Sequence, residues 1–316
     1  MQTGRREFIK FGGLFAAAGV AGCRSLFTAS AKDYDDSLTV FISDLHVGGT
    51  ERSDKYQESA LRRAVAEILR MDPLPRRVVC FGDIAWLTGL RPDYQRSKPI
   101  LQQLVDAGID LKMTMGNHDR RSTFLELWPE YAKSSPVPGR IVSVIPLQHA
   151  DLVLLDALKG SDDRGERDMG PVDGTIDPAQ LEWFESWVAQ AKRPFFIGTH
   201  QCSDLRLEGK SLAQRTLKSP FAAGWIHGHD HRWAQDFRIE SWRSTRTLPI
   251  LTLPSTGHWG DIGYVRFRTS PGQALAELVQ YDFYFPKPVE ASKRPASWDL
   301  WVADNRDKKM HFVFPA

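Results

Sequence analysis

Leu38-Thr39-Val40-Phe41-Ile42-Ser43-Asp44-Leu45-His46 decides the fold: an apolar run rich in β-branched and aromatic residues breaks off into Asp-x-His. That is the form of a buried strand delivering polar side chains beyond its end. Downstream, Tyr56 to Met71 carries Leu61, Val65 and Ile68 at helical spacing, Arg77 to Phe81 is a second strand, Ile100 to Val105 lies in a helix, and Leu111 to Met115 is a third strand. A βαβαβ opening implies a parallel sheet with helices packed on it. Asp177 followed by Pro178 reads as an N-cap with proline at the first helical position, and Leu181, Phe184 and Val188 supply the apolar stripe up to Ala191. Phe195 to Thr199 and Ala223 to Ile226 are further strands. Beyond Trp233 the helical pattern gives way to strands at Thr247 to Leu253, Tyr264 to Arg268 and Leu275 to Tyr281, the last two joined at Pro271-Gly272. These suggest a second, antiparallel sheet closing the domain.

Metal-competent residues fall just after those strands: Asp44 and His46, then Asp83, then Asn117 and His118, then His200, then His229 and His231. In a parallel sheet the carboxyl ends of the strands share one edge, where open α/β folds place their sites. Residues two apart in an extended chain share a face, so Asp44 and His46 can grip one ion. Carboxylate, imidazole and amide donors without thiolate suit iron, manganese, zinc or cobalt and argue against a closed structural zinc site. Two ions bridged by a carboxylate can activate a water and neutralise charge on a phosphoryl group.

Asp44-x-His46, Gly82-Asp83, Gly116-Asn117-His118-Asp119, a strand ending in His200, and Gly228-His229-Asp230-His231, in that order, resemble the motifs of the calcineurin-like metallophosphoesterases from roughly Leu38 to Tyr281. The resemblance implies an α/β fold, a four-layer α/β/β/α sandwich of two mainly mixed sheets with the metal site at the strand C-terminal ends. It implies that Asp44, His46 and His231 bind one ion, that Asn117, His200 and His229 bind the other, and that Asp83 bridges them. His118 would stand beside the scissile phosphate as acid or charge stabiliser, with Asp119 fixing its tautomer. Gly82-Asp83-Ile84-Ala85 leading to Tyr94, the Arg120-Arg121 pair and Pro254-Ser255-Thr256 resemble the class III cyclic-nucleotide phosphodiesterase and glycerophosphodiesterase branch. Gln201 and Ala85-Trp86-Leu87 depart from that branch's pattern. The expected reaction is phosphodiester hydrolysis, with phosphomonoester or envelope lipid and nucleotide pyrophosphate cleavage as alternatives, and a non-catalytic binding role last.

Arg120 and Arg121 are candidate phosphate contacts because guanidinium recognises paired oxygens, and His258 is a candidate substrate contact from its loop. The charged, glycine-containing segment Ser161 to Gly174 is either a lid or a solvated connection. His227 reads as a neighbour of the ligands, and Trp183, Phe184 and Trp187 as helix packing.

Lysine plus arginine total 41 against 39 acidic residues, so no basic field points to a nucleic-acid partner. Arg5-Arg6 before the apolar stretch Phe11 to Ala21 resembles a twin-arginine signal, which would engage the twin-arginine export machinery. Val20-Ala21-Gly22-Cys23 resembles a lipobox, so Cys23 would carry a lipid anchor to a membrane; cleavage after Ala31 is the alternative, giving a soluble periplasmic protein. The expected organisation is a signal at 1–22, a linker at 23–37, the phosphoesterase domain at 38–285 and a tail at 286–316. In that tail Leu300 to Ala303 could pair with His311 to Phe314 as a hairpin. Cys80 and Cys202 read as structural thiols.

Overall fold

The computed structural model describes residues 33–48, 55–160, 168, 170–202, 206–207, 210–239, 246–284 and 308–315. The export segment, Cys23, Leu300 to Ala303, and residues 161–167 and 169 of the expected lid lie outside the described residues.

In chain order the elements are β1 (Tyr34–Ile42), α1 (Lys55–Ile68), β2 (Leu74–Cys80), α2 (Arg91–Asp106), β3 (Asp110–Met113), α3 (Arg121–Leu127), α4 (Glu130–Ser134), β4 (Ser143–Pro146), β5 (Asp151–Leu154) and α5 (Pro178–Gln190). They continue with β6 (Phe195–Thr199), β7 (Arg206–Leu207), β8 (Lys210–Ser211), α6 (Leu212–Thr216), β9 (Ala222–His227), β10 (Ala234–Ile239), β11 (Thr247–Thr252), β12 (Gly260–Ser270), β13 (Gln273–Tyr284) and β14 (Lys309–Val313). Two six-stranded sheets result, in the orders β14-β13-β12-β1-β2-β3 and β10-β11-β9-β6-β5-β4, with β7 and β8 forming a small hairpin. Among the described residues, no helix is long and apolar enough to cross a membrane.

Strand side chains alternate between faces, and each strand here divides its apolar residues between two cores. Val40 and Ile42 of β1 and Val78 and Cys80 of β2 pack with Leu61, Val65 and Ile68 of α1 and Leu101 and Leu104 of α2. Phe41 and Val79, one residue out of phase, point the other way and meet Leu152, Leu154, Phe196 and Phe267 between the sheets. Val153, Phe195 and Ile197 turn outward onto Leu181, Phe184 and Val188 of α5. These three cores make the α/β/β/α sandwich. Asp177 caps α5 as expected, accepting from the amides of Ala179 and Gln180.

One expectation fails. The closing strands do not build a separate antiparallel sheet: β12 pairs antiparallel with β1 and β13 with β12, extending the first sheet, while β11 runs parallel to β9 in the second. The reason is local: a strand beside the parallel β1-β2 pair satisfies that pair's open edge, which a detached sheet would leave exposed. In the tail, β14 pairs with β13 and buries Met310 and Phe312 between the sheets.

Candidate metal centre

Beyond the strand ends the backbone leaves the extended region. Asp44, His46, Asp83, His229 and His231 all have positive φ, at 53, 45, 50, 71 and 53°. Non-glycine residues rarely adopt this conformation, and such strain gathers at functional sites. The convergence of Asp44 with His46, and of His229 with His231, therefore comes from left-handed turns rather than from the two-residue period of a strand. Backbone bonds hold the turns in place: the amide of Asp44 donates to Gly82 O at 3.1 Å and that of His46 to Asp83 O at 2.9 Å. Gly82 has φ 95°, and a Cβ on it would lie 2.5 Å from the nitrogen of Gly116, so the second and third loops meet with no room for a side chain.

The two sheets are joined across the site. The amide of His229, on the second sheet, donates to the Asp44 carboxylate at 3.1 Å, and His200 Nδ1 donates to Phe81 O at 2.7 Å. Asp44 Oδ1 lies 3.1 Å from His231 Nε2 and 3.9 Å from His46 Nε2. Asp83 Oδ2 lies 3.1 Å from His200 Nε2 and 3.6 Å from His46 Nε2. Three donor groups follow, Asp44-His46-Asp83-His231 and Asp83-His200-His229, with Asp83 common to both, and His46-His231-His258 beside them.

The electrostatics are those of a cation site. Burial opposes ionisation of Asp44, but His231 and His200 outweigh it and hold the carboxyl well below the usual range. Asp83 is likewise depressed, burial being outweighed by His200 and His118. Burial also disfavours charge on His200, yet Asp83 and Asp44 lift it to about 9, whereas burial and then His258 push His46 well down. Asn117 Oδ1 is buried and has no hydrogen-bond partner among the described residues, a costly state that a metal ion would relieve. His46, His200 and His231 each donate Nδ1–H to a backbone carbonyl, those of Trp86, Phe81 and Trp259, which leaves Nε2 as the donor atom. The residues fit a pair of first-row transition ions.

A cavity of about 560 Å³ opens over this cluster, lined by His46, Asp83, Asn117, His118, Val172, His229, Asp230, His231, Arg232, His258 and Trp259. Val172 brings the end of the expected lid to the rim, and Gly170 is tied to the site by its amide, which donates to Asn117 O at 2.7 Å. His118 faces the cavity, but the bond that orients its ring comes from Leu87 O, at 2.7 Å from Nδ1. Asp119, expected to hold that ring, instead accepts from the amides of Ile84, Ala85 and Gly116 and from the Tyr94 hydroxyl. Burial, then the Asp83 charge, raises Asp119 to about 6.

The two candidate arginines are held by other partners. Arg121 is buried against Asp156, with Nε 2.6 Å from Oδ2 and Nη2 2.8 Å from Oδ1, and Arg120 Nε donates to Thr88 O at 2.7 Å. Neither lines the cavity. Arg232 does, and its place directly after Gly228-His229-Asp230-His231 was the sequence signal for it. His258 enters the site as well. His227 stays outside the donor groups, buried in β9 with its ring bonded to Thr252 Oγ1 at 3.0 Å.

The family description of the calcineurin-like phosphoesterases matches residues 38–233, and the chain belongs to that family. Among solved structures it is similar to a dimetal phosphatase from Danio rerio, at 15% identity and TM-score 0.61, covering 88% of this chain and 99% of that one. Weaker likenesses are to a Thermus thermophilus protein, TT1561, at 10% identity and TM-score 0.43 over 78% of this chain and 98% of that one, and to Vps29 of Chaetomium thermophilum, at 9% and 0.40 over 90% and 100%. No curated protein matches significantly.

Proposed function

We propose that this phosphoesterase hydrolyses phosphodiesters at a dinuclear centre, with Asp44, His46 and His231 holding one ion, Asn117, His200 and His229 the other, and Asp83 shared. Bound there, iron, manganese, zinc or cobalt ions would supply Lewis acidity and activate water. The chain's own contribution is placement. His118 is locked by Leu87 with a proton on Nδ1, so its Nε2 is free to carry a proton toward the leaving oxygen or to stabilise charge there.

The observation that carries the diester reading is the withdrawal of Arg120 and Arg121 from the cavity. A monoester dianion favours added cationic side chains, whereas a diester needs room for a second substituent. The cavity offers Arg232 beside the acidic Asp230, with Val172 and Trp259 as apolar lining. The test compares kcat/KM on bis(p-nitrophenyl) phosphate and p-nitrophenyl phosphate with the same metal and pH. The diester should win, and a clear monoester preference overturns the specificity while leaving the family assignment intact.

The export reading rests on the sequence alone, on Arg5-Arg6 and the stretch ending at Cys23. It places the enzyme in the cell envelope, anchored through an acylated Cys23.

A further inference from the structure

We infer that His258 is a second substrate-facing imidazole, distinct from the metal ligands, which donates a hydrogen bond from Nε2 to an oxygen of the bound phosphoester and is held in that tautomer by Gln57. The inference rests on the phosphoesterase reading and adds to it a residue and its positioning partner.

His258 also groups with His46 and His231 closely enough to share an ion, and its ring partner is what separates it from them. His46, His200, His231 and His118 each meet a backbone carbonyl at Nδ1, and a carbonyl can only accept, so each carries its proton there. His258 Nδ1 instead lies 3.3 Å from Nε2 of Gln57, an amide nitrogen that can only donate. With the Gln57 amide in this orientation, Nδ1 is the acceptor and Nε2 carries the hydrogen. An imidazole in that state makes a poor metal ligand and a good donor to a phosphoryl oxygen.

The ring's location suits the task. Its centroid is 4.1 Å from that of His46 and 5.2 Å from that of His231, and the Trp86 ring lies nearly perpendicular to it with centroids 5.4 Å apart. His118 packs against the same His46 ring at 4.8 Å, so both non-ligand imidazoles flank one ligand and line one cavity. His258 can donate from Nε2 with no proton changing hands, whereas His118, whose Nδ1–H is engaged by Leu87 O, can donate from Nε2 only after gaining a proton there.

The loop carrying His258 is fixed to the metal motif. Ser255 Oγ donates to Asp44 O at 2.9 Å and accepts from the His258 amide at 2.7 Å, while the amide of Thr256 donates to Ser43 O at 2.7 Å. A Cβ on Gly257 would lie 2.2 Å from Leu45 O and 3.1 Å from Gln57 O, so loop, motif and α1 are in direct apposition. Gln57 itself is buried, on the first turns of α1. A side chain held this way is preorganised rather than recruited.

The test uses the metal-loaded protein and three readouts: kcat/KM on bis(p-nitrophenyl) phosphate, the Kd of inorganic phosphate by titration calorimetry, and bound metal per chain. His258→Phe should lower kcat/KM by about 10- to 100-fold and weaken phosphate binding, with metal content unchanged. His258→Gln, which keeps an N–H donor, should recover part of the loss. Gln57→Leu should cost several-fold in the wild-type background and nothing further in His258→Phe, because it acts through the imidazole. Loss of a metal ion in His258→Phe would make His258 a ligand and overturn the inference, as would unchanged phosphate binding and turnover or an additive Gln57→Leu effect. Wild-type protein that neither turns over phosphoesters nor binds phosphate would sink the phosphoesterase reading as well. Wild-type turnover with an indifferent His258→Phe would sink this inference alone.

Discussion

The amide of His118 donates to Asp83 Oδ1 at 2.8 Å, so the carboxylate shared by two of the donor groups also fixes the backbone that presents the cavity imidazole. Asp83→Asn should therefore do two kinds of damage. It removes the charge shared by the two ions, and it replaces an acceptor with an amide that can face the His118 N–H from its wrong end. Metal analysis of protein purified without chelator should approach two ions per chain for the wild type and fall for both sites in the variant. A stoichiometry of one, unmoved by the substitution, contradicts the dinuclear assignment.

His118 makes a different prediction, because it belongs to none of the donor groups and its Nε2 stands 3.9 Å from Asp83 Oδ2. His118→Ala should lower kcat by about 10²- to 10⁴-fold while metal content holds. Asp119→Asn should behave otherwise. Its carboxylate organises the amides of Ile84, Ala85 and Gly116 and the Tyr94 hydroxyl, so the loss should appear in thermal stability and metal affinity before it appears in the acid step. Full metal occupancy with kcat alone reduced in Asp119→Asn would restore a direct role in orienting His118.

What the sequence could reveal followed from how local each signal was. The strands β1, β2, β6 and β9 were legible because each is a short apolar run ending in a polar residue, and the donor residues because five separate loops repeat that ending. The destination of β12 and β13 was not, since alternation marks a strand's faces and is silent about its neighbour. The partner of Arg121 was hidden for a related reason: the carboxylate it meets belongs to Asp156, 35 residues away and outside any motif. Gln57 left no signal at all, being 201 residues from the imidazole it meets. The left-handed turns at Asp44, His46, Asp83, His229 and His231 were equally hidden: Asp and His tolerate positive φ better than most residues, but that tolerance does not say where it is used.

Arg121 should therefore read out in stability rather than in substrate binding. Its guanidinium forks onto Asp156 and also reaches the carbonyls of Leu158 and Gly160, all away from the cavity. Arg121→Ala leaves a buried carboxylate without its counter-charge, a change that typically costs about 3 to 5 kcal/mol. Urea unfolding should show that loss, while the KM of the folded enzyme for bis(p-nitrophenyl) phosphate stays within about two-fold of wild type. A raised KM with unaltered unfolding would return Arg121 to the substrate.

Export makes a prediction independent of the site. Replacing Arg5 and Arg6 together by lysine should leave the protein in the cytoplasm, because the paired guanidinium groups are what the twin-arginine machinery reads. Cys23→Ala should release the protein from the membrane fraction without blocking translocation. Retention of Cys23→Ala in the membrane would point to an uncleaved apolar segment instead of a lipid.

The N-cap of α5 gives a pH-dependent prediction away from the metal centre. Asp177 Oδ1 accepts from the amide of Ala179 at 3.1 Å, and Oδ2 accepts from Arg140 Nε at 2.6 Å. Burial opposes the charge, but the Arg140 guanidinium and the helix amides outweigh it, so the carboxyl ionises below its ordinary value. A depressed folded pKa means that the stabilisation is fully present above the unfolded value of about 3.9 and is lost as pH falls through the lower folded value. Asp177→Asn keeps an oxygen for the cap and removes the charge that Arg140 and the helix N-terminus favour. At pH 7 the variant should be less stable than wild type by roughly 0.5 to 1 kcal/mol, and the gap should close as pH drops below about 4. Urea midpoints of both proteins at pH 7, 5 and 3.5 would test it: a gap that persists undiminished at the lowest pH would show that the cap's geometry, and not its charge, is what Asp177 contributes.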